Sequence, residues 1–479
     1  MLEGKKKKKS GIMIVSVLVS HPCMRRFEYK YIVAAIYAVV LFLDRLDLTI
    51  VNIALPKIAE HFHVLVTDTE WINNAFLLAL SLSIPISSWL GERFGCKRVF
   101  IYATVALGLT SLLCALAPDM QFLICMRFIQ GLSSGLVVPI GMTMVFRSFD
   151  PSEYASISSY IFIPSLIAPG LAPMIGGMMT DYFNWRWVFL FVTPVSFIIA
   201  GFSYWLVKEH RSANKRPLDV TGFVLSASTL LLVFHVLSVI GKQGFNWNML
   251  CELLLAIALG YLFVLQERKC LAPLVDLELF RKKLFVQANL ILTLFQIAHF
   301  GSIFLFAIYL QMNVGYTAML AGMIMGMQAF GAICSSRLSV QLYESYSAKL
   351  PISVGLIGVG VISPIILYLN PSTPVWLGFV VFFVRGLFSG LCGAPIQAIG
   401  IRGFSNEQIG QAAAALNIVR QLSISLGISL SALLLSVAIH DYDLSILVNQ
   451  DKSVFYAPFA LISCSVWCGA WVTLYTFHE

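Results

Sequence analysis

Charged side chains are scarce in this sequence of 479 residues, since Asp, Glu, Lys and Arg together make up 12% of it. A soluble domain carries about 25% charged residues, because its surface must face water. Hydrophobic residues make up 58% of the chain, and the mean hydropathy is +0.84. Most of the folded surface must therefore face lipid, and we expect an integral membrane protein.

Several motifs of catalytic and energy-coupling proteins are also missing. The sequence contains neither the His-Glu-x-x-His motif of zinc proteases nor the Gly-x4-Gly-Lys-Ser/Thr loop that binds nucleotide phosphates. Its ten cysteines are dispersed, mostly in apolar stretches, and form no Cys-x-x-Cys pair. We therefore expect no enzyme, no ATP-driven pump, no cofactor and no metal site.

The positive charges that are present follow a pattern along the chain. The net charge is +8, and most of the 32 Lys and Arg lie in the N-terminal tail and in alternate short loops. They include Lys5 to Lys9, Arg25, Arg26, Arg93, Lys97, Arg98, Lys208, Arg211, Lys215, Arg216, Arg268, Lys269, Arg281, Lys282 and Lys283. Cytoplasmic loops of membrane proteins carry such an excess. The pattern predicts a membrane protein with both termini in the cytoplasm, and no nucleic-acid partner.

Apolar spans recur from Tyr31 onward, and their number predicts about fourteen transmembrane helices. We expect helices near 31–55, 71–90, 99–117, 121–146, 155–180, 187–207, 220–240, 249–266, 285–311, 317–338, 351–370, 374–400, 408–437 and 455–476. The fold class is then an all-α membrane protein of two six-helix bundles with two inserted helices. The expected divisions are a basic cytoplasmic tail (1–27), a first bundle (28–207), a linker with two extra helices (208–284) and a second bundle (285–479).

Two acids interrupt the first apolar span. Asp44 and Asp47 are three residues apart, so they lie on one helical face about one turn from each other, while Arg45 lies on another face. A charge at the bilayer centre costs a few kcal/mol, which makes each one a candidate for function. One interpretation is a carboxylate that carries protons; the other is a structural ion pair with Arg45 or Arg127.

Three arginines lie inside later spans. Arg127 precedes Gly131 and Gly135 at four-residue intervals, a spacing that permits close approach of another helix. Arg127 then either keeps a carboxylate ionised, orients a substrate, or serves as a structural counter-ion. Arg385 and Arg420 are candidates for the substrate pathway, and the other candidates for that pathway are Asn52, Trp71 and Gln130.

Proline and glycine are concentrated in the fifth span. Pro169, Gly170, Pro173, Gly176 and Gly177 follow one another within nine residues. Proline removes a backbone donor and bends a helix, and glycine allows a neighbouring helix to approach closely. The span is either a gating element between the bundles or a kinked packing helix.

The loop after the second span is short and charged. It carries Glu92, Arg93, Lys97 and Arg98 around a turn at Gly95. These charges either anchor at lipid headgroups or bridge to a neighbouring helix and hold one conformation. We expect a conformational switch at this loop.

These segments together resemble the fourteen-helix drug/proton antiporter branch of the major facilitator superfamily, in the right order over roughly residues 28–437. LDLTIVNIALPKI (46–58) resembles the first-helix signature of that branch, and Trp71 with Phe76 resembles its Trp-x4-Tyr pattern. The remaining matches are the loop 88–98, RFIQGLSSG (127–135), APGLAPMIGG (168–177), DYFNWRWVF (181–189), PLVDLELFRKKLF (273–285), YLQMNVGYTAMLAG (309–322) and NIVRQLSISLG (417–427).

The resemblance implies a function and roles for particular residues. It implies export driven by proton entry, with Asp47 as proton carrier, Arg127 as its electrostatic partner, and Pro173 and Gly176 in the antiporter helix. It also allows a periplasmic adaptor protein as a partner. The chain departs from the pattern where Ser88, Glu92 and Cys96 replace loop residues, where Ala172 and Val192 replace a glycine and an asparagine, and where Asp44 and Arg45 are added.

We therefore expect a proton-coupled antiporter in the inner membrane that exports drugs or other small amphipathic molecules. Its expected partners are the small-molecule substrate, protons and membrane lipid. The alternatives are a dedicated metabolite or siderophore exporter and a proton symporter-type importer of the same fold. A membrane enzyme is a further class, which the absence of catalytic motifs disfavours.

Overall fold

A computed structural model describes residues 22–149, 154–209, 219–243, 246–270, 277–402, 404, 406–440 and 452–476. Most of the expected tail 1–27 lies outside these residues. The described residues form fourteen long helical segments and no strand. The first seven are α1 (Pro22–Phe62), α2 (Glu70–Phe94), α3 (Cys96–Ala115), α4 (Met120–Ser148), α5 (Tyr154–Tyr182), α6 (Arg186–Leu190 and Val192–Leu206) and α7 (Val220–Gln243). The others are α8 (Trp247–Lys269), α9 (Lys283–Ile308, continued by a π-helical turn at Tyr309–Asn313), α10 (Ala318–Ser345), α11 (Lys349–Ile365 with Ile366–Tyr368), α12 (Val375–Ile401), α13 (Asn406–His440) and α14 (Tyr456–Thr476).

The helices are long enough to cross a bilayer, since about twenty residues span its hydrocarbon core. Ten of the fourteen are both long and apolar enough by composition, and α1, α2, α5 and α7 are the other four. In α1 the apolar stretch is interrupted by Asp44, Arg45 and Asp47. The structure confirms the expected all-α membrane fold, although α1 extends beyond the predicted span 31–55 at both ends.

The two bundles repeat one packing pattern. In the first bundle α1 packs against α5, and α4 packs against α2 and α3, while α3 also contacts α6. In the second bundle α9 packs against α13, and α12 packs against α10 and α11, while α11 also contacts α14. Helices one to six of each bundle therefore have equivalent neighbours, as expected of two structural repeats.

The bundles meet mainly through two helix pairs, and the inserted helices lie outside them. The α5 helix packs against α10, and α2 packs against α13. The inserted helices α7 and α8 pair with each other, and α7 also contacts α13 and α2. Most of α8 is exposed, as a lipid-facing helix would be. The division of the chain at residues 28, 208 and 285 stays a prediction.

Candidate functional site

The first element of the site is an ion pair between α1 and α4. Nη1 of Arg127 lies 2.8 Å from Oδ2 of Asp47, and both side chains are buried, with 0% and 2% exposure. Nη1 of Arg127 also donates to the side-chain oxygen of Gln130 at 2.8 Å, and Nε donates to the carbonyl oxygen of Ile72 at 3.2 Å. The amide of Gln130 in turn donates to the hydroxyl of Ser111 at 2.6 Å. This geometry therefore agrees with the interpretation of the sequence in which Arg127 forms an ion pair with Asp47.

Glycine and aromatic residues hold the arginine in place. A Cβ atom at Gly131 would overlap the carbonyl oxygen of Phe76, and one at Gly135 would lie 2.6 Å from that of Leu80, so both glycines permit close contact between α4 and α2. The Arg127 guanidinium consequently lies 4.2 Å from the centre of the Phe76 ring. A ring face attracts a cation, most strongly where water is excluded. The charge is thus stabilised by both Asp47 and an aromatic face.

The second acid of α1 has different partners. Asp44 is buried at 7% exposure and accepts a hydrogen bond from the hydroxyl of Ser134 on α4. Nε of Arg45 lies 3.7 Å from Oδ2 of Asp44, so these neighbours in sequence form an ion pair. Arg420 on α13 also lies within electrostatic reach of Asp44. Asp44 and Asp47 are therefore not a shared carboxylate pair: each has its own arginine.

The candidates for a substrate pathway are dispersed. Gln130 joins the Asp47 network, and the amide of Asn73 on α2 donates to Oδ1 of Asn52 at 3.0 Å. Trp71 packs with Leu78 and Leu82 of its own helix, in a cluster that includes side chains of α7 and α13. These contacts do not bring Trp71 to the ion pair. The pathway itself stays a prediction.

Arg385 lies within the second bundle and is fully buried. Its guanidinium donates to the hydroxyls of Ser302 and Ser363 and to the amide oxygen of Gln328, and it lies 4.8 Å from the centre of the Phe306 ring. Ser302 is on α9, the helix that corresponds to α1 in the repeated packing pattern. Among the described residues no carboxylate lies within 4 Å of Arg385. The second bundle thus has a buried arginine with neutral partners where the first has an ion pair.

The loop between α2 and α3 is bound to the end of α6. Gly95 has a φ of +98°, a conformation that favours glycine, and allows the turn there. The carboxylate of Glu209 accepts from the backbone N–H groups of Lys97 and Arg98 at 3.2 and 3.3 Å, at the first turn of α3. Nζ of Lys97 donates to the carbonyl oxygen of Tyr204 at 2.7 Å. The loop therefore bridges to a neighbouring helix, as one of the two sequence interpretations held.

Glu209 is a residue that the sequence analysis missed. The signal for it was an acid shortly after α6, one of two in the otherwise basic joint KEHRSANKRPLD. The predicted switch residue Arg93 has a different arrangement, because its guanidinium lies 5.3 Å from the centre of the Trp89 ring, and the role of Glu92 stays a prediction. Whether the loop switches conformation stays a prediction.

The proline- and glycine-rich part of α5 forms the contact between the bundles. A Cβ atom at Gly170 would lie 2.7 Å from Cβ of Ala329 on α10, and one at Gly177 would overlap the backbone at Ala318. On its other side, Gly176 faces α1, where a Cβ atom would lie 2.7 Å from a methyl group of Ile53. Pro169 is partly exposed and Pro173 is buried. This helix is therefore packed between α1 and α10.

The partner glycines on α10 were also missed. A Cβ atom at Gly322 would overlap the carbonyl of Pro173, and one at Gly326 would lie 2.7 Å from the carbonyl oxygen of Gly170. Their four-residue spacing, GMIMG, is the pattern that permits close helix contact in membranes, so the sequence contained the signal.

Hydrogen bonds join the bundles at the end of the molecule where α1 ends, which we call the closed end. Asn74 on α2 donates to the hydroxyl of Ser429 on α13 at 2.7 Å and accepts from that of Ser425 at 2.8 Å. The amide of Gln311 donates to the carbonyl oxygen of Ile53 at 2.9 Å.

A carboxylate adds to the contacts at the closed end. Asp181, at the end of α5, accepts from the backbone N–H groups of Ala318 and Met319 at 3.2 and 2.6 Å. The first bundle thereby caps a helix of the second, where N–H groups otherwise lack a partner. No group of three or more metal-binding side chains occurs in the described part of the chain.

Comparison with known proteins places this geometry in a family. The model of the family described as Major Facilitator Superfamily matches residues 37–428. A protein of Yersinia enterocolitica named "Putative multidrug resistance protein MdtD" is 28% identical over 413 residues, which cover 84% of this chain and 85% of that protein. A protein of the same name from Enterobacter sp. (strain 638) is 26% identical over 410 residues, which cover 83% and 84%. A Bacillus subtilis protein named "Uncharacterized MFS-type transporter YhcA" is 25% identical over 391 residues, which cover 81% and 74%.

The fold is also similar to solved structures. The crystal structure of peptide transporter POT in complex with sulfate matches with a TM-score of 0.67, covering 92% of this chain and 93% of that one. The identity between the two sequences is 15%, so the likeness concerns the fold alone.

Proposed function

Because this chain belongs to the major facilitator superfamily, within its multidrug branch, we propose that it is a proton-coupled exporter of small organic molecules in which Asp47 carries the proton. It is a multi-pass membrane transporter rather than an enzyme. The observation that carries the proposal is the buried ion pair of Asp47 with Arg127 at 2.8 Å. A buried carboxylate that binds a proton loses its attraction for the arginine, so proton binding changes the contact between α1 and α4.

The packing of α1 supports a route from this pair to the bundle interface. Ile50 lies three residues after Asp47 and therefore about one turn away on the same face of α1. A Cβ atom at Gly176 on α5 would lie 2.8 Å from the Ile50 side chain. Since α5 also contacts α10 of the other bundle, a shift of α1 displaces the helix on which the bundles meet. Coupling then follows contiguous packing from Asp47 through α5 to α10.

We place both termini in the cytoplasm of a cell with an inner membrane. Cytoplasmic loops of membrane proteins carry an excess of Lys and Arg, and the alternate loops that carry this excess lie on the side of the membrane where we place the termini. The closed end then faces outward, and the described conformation is one that is closed to the outside. In the proposed cycle, release of the cross-bundle contacts at Asn74, Gln311 and Asp181 opens the outer side, and a proton enters Asp47 from there. The proposed divisions are bundles at 28–207 and 285–479 with the linker 208–284 between them.

The test is transport by the full chain in proteoliposomes with an imposed pH gradient. Asp47→Asn keeps the size of the side chain but cannot exchange a proton, so uphill transport should disappear while downhill exchange of substrate persists. Asp119→Asn is a matched control, because Asp119 caps α4 at an exposed position in the same bundle. Uphill transport by Asp47→Asn at the rate of the unmodified chain would contradict the assignment.

A further inference from the structure

Three charged side chains from both bundles lie within electrostatic reach of one another, on the side of Asp47 away from the closed end. They are Asp44 and Arg45 of α1 and Arg420 of α13, which we call the two-arginine cluster. Arg420 lies within electrostatic reach of both Asp44 and Arg45. The first bundle thus supplies one guanidinium and the second bundle supplies the other.

The position of Arg45 indicates access to this cluster. Its side chain is 21% exposed, whereas the residues from Leu46 to Leu55 of α1 are all buried. Tyr31, fourteen residues earlier, lies on a similar face of α1 to Arg45 and is also exposed. Arg45 is therefore the last partly exposed residue before the buried part of α1, and the cluster lies at that boundary.

Arg420 is incompletely satisfied. It donates from Nη2 to the side-chain oxygen of Asn417 on its own helix. Its Nε is buried and makes no hydrogen bond with the described part of the protein. A buried donor without an acceptor costs free energy, and for a charged group that cost is greater. Arg420 thus has a free hydrogen-bonding position next to a partly exposed arginine.

The charges of the cluster do not balance. Two guanidiniums face one carboxylate, and that carboxylate already accepts from Ser134 and pairs with Arg45. Asp47 cannot supply the missing charge, because Arg127 pairs with it. The described side chains of the cluster therefore leave an excess positive charge next to the buried part of α1, where the dielectric constant is lower than in water.

We propose that the cargo of this transporter is an amphipathic anion, whose carboxylate, sulfonate or phosphate group binds between Arg45 and Arg420. The proposal rests on the proposed function and names the substrate class of that transporter. Guanidinium groups bind such oxyanions in bidentate geometry, and a cation would meet two like charges. An anion between the two arginines also offsets their repulsion, so its binding favours approach of the bundles on this side. The proton and the anion are taken by different groups, Asp47 and the cluster.

The experiment compares two dyes with a common xanthene core, the anionic sulforhodamine B and the cationic rhodamine 6G. The full chain is reconstituted in phosphatidylcholine vesicles, which contain no competing anionic lipid, and transport of each dye is measured with and without a pH gradient. We expect transport of sulforhodamine B. Loss of one charged hydrogen-bonding partner should reduce it in Arg420→Gln by about tenfold or more.

Three further variants separate binding from folding. Arg420→Lys keeps the charge and should retain more transport than Arg420→Gln. Arg337→Gln makes the same substitution at an exposed position of α10 and should transport normally. Asp44→Asn removes the resident carboxylate that competes with the cargo, so it should lower the KM for sulforhodamine B, an effect that misfolding cannot produce.

The other outcomes are equally informative. Preference for rhodamine 6G, or transport of sulforhodamine B that Arg420→Gln leaves unchanged, would overturn the anion site. Absence of transport of both dyes, with no increase in melting temperature on adding sulforhodamine B, would also overturn it. Rhodamine 6G transport that needs both a pH gradient and Asp47 would leave the proposed function intact. Sulforhodamine B transport that is independent of Asp47 would instead retain the anion site and contradict proton coupling.

Discussion

Removal of the Asp181 carboxylate should open the closed end of the transporter. Asp181 accepts from two N–H groups in the first turn of α10, at 3.2 and 2.6 Å, and these are contacts between the bundles. A helix-capping side chain contributes on the order of 1 kcal/mol, and up to about 2 kcal/mol in the strongest cases. Asp181→Ala therefore shifts the equilibrium away from the described conformation by a factor of roughly 5 to 30.

Hydrogen–deuterium exchange of the reconstituted full chain measures this shift. Opening of the closed end should increase exchange in the last turns of α1 and α9, at residues 49–62 and 305–313, which do not contact the substituted side chain directly. Asp119→Ala is the matched control, since Asp119 caps α4 through the N–H group of Phe122 at 2.8 Å within one bundle. That variant should increase exchange at the start of α4 alone.

Two results would refute this reasoning. One is unchanged exchange at residues 49–62 and 305–313 in Asp181→Ala, which would mean that the carboxylate does not hold the bundles together. The other is an equal increase in both variants, which would show that any lost cap loosens the protein in the same way. A transport rate that rises or falls only in Asp181→Ala would connect the contact to the conformational cycle.

Three other changes test separate parts of the structure. Gly322→Val places side-chain atoms against the carbonyl of Pro173 and should destabilise the α5–α10 contact by about 1–3 kcal/mol. Gly201→Val is the control, because open space surrounds Gly201, and it should leave the melting temperature unchanged. Equal melting temperatures of the two variants would contradict the close contact. Arg385→Met should lower the melting temperature, because Gln328 and Ser302 lose their hydrogen-bond partner. The variant should still transport substrate when a pH gradient is imposed. Loss of transport at an unchanged melting temperature would instead place Arg385 in the transport mechanism. Partial burial and the guanidinium of Arg186, 3.1 Å away, lower the pKa of His61 below its usual 6.5. The unfolded chain therefore binds this proton more readily than the folded one, and the stability that His61 contributes is lost as the pH falls below about 6.5. His61→Asn should reduce the loss of melting temperature between pH 7.5 and 5.5, and an identical loss in both proteins would contradict this prediction.

The amino-acid sequence determined the membrane class, the helices and the identity of the buried charges. Scarcity of charge and repeated apolar spans suffice for this, because lipid offers no alternative partner for backbone groups and so enforces helices of about twenty residues. Local spacing likewise placed Asp44 and Asp47 one turn apart and marked α5 as a helix for close contacts. These features depend on residues near one another in the chain.

Spacing in the sequence left open which charge pairs with which, and the tertiary structure decided it. Arg127 is 80 residues from Asp47, and the choice of Asp47 rather than Asp44 depends on the close contact of α4 with α2 and α1. The partners of α10 and α13 across the interface, Asp181 and Asn74, lie still farther away in sequence. Arg420 lies within electrostatic reach of Arg45 because the two bundles pack against each other, and no pattern within either bundle encodes that proximity. The excess charge between the bundles is therefore a property of the folded protein, although every residue that creates it is visible in the sequence.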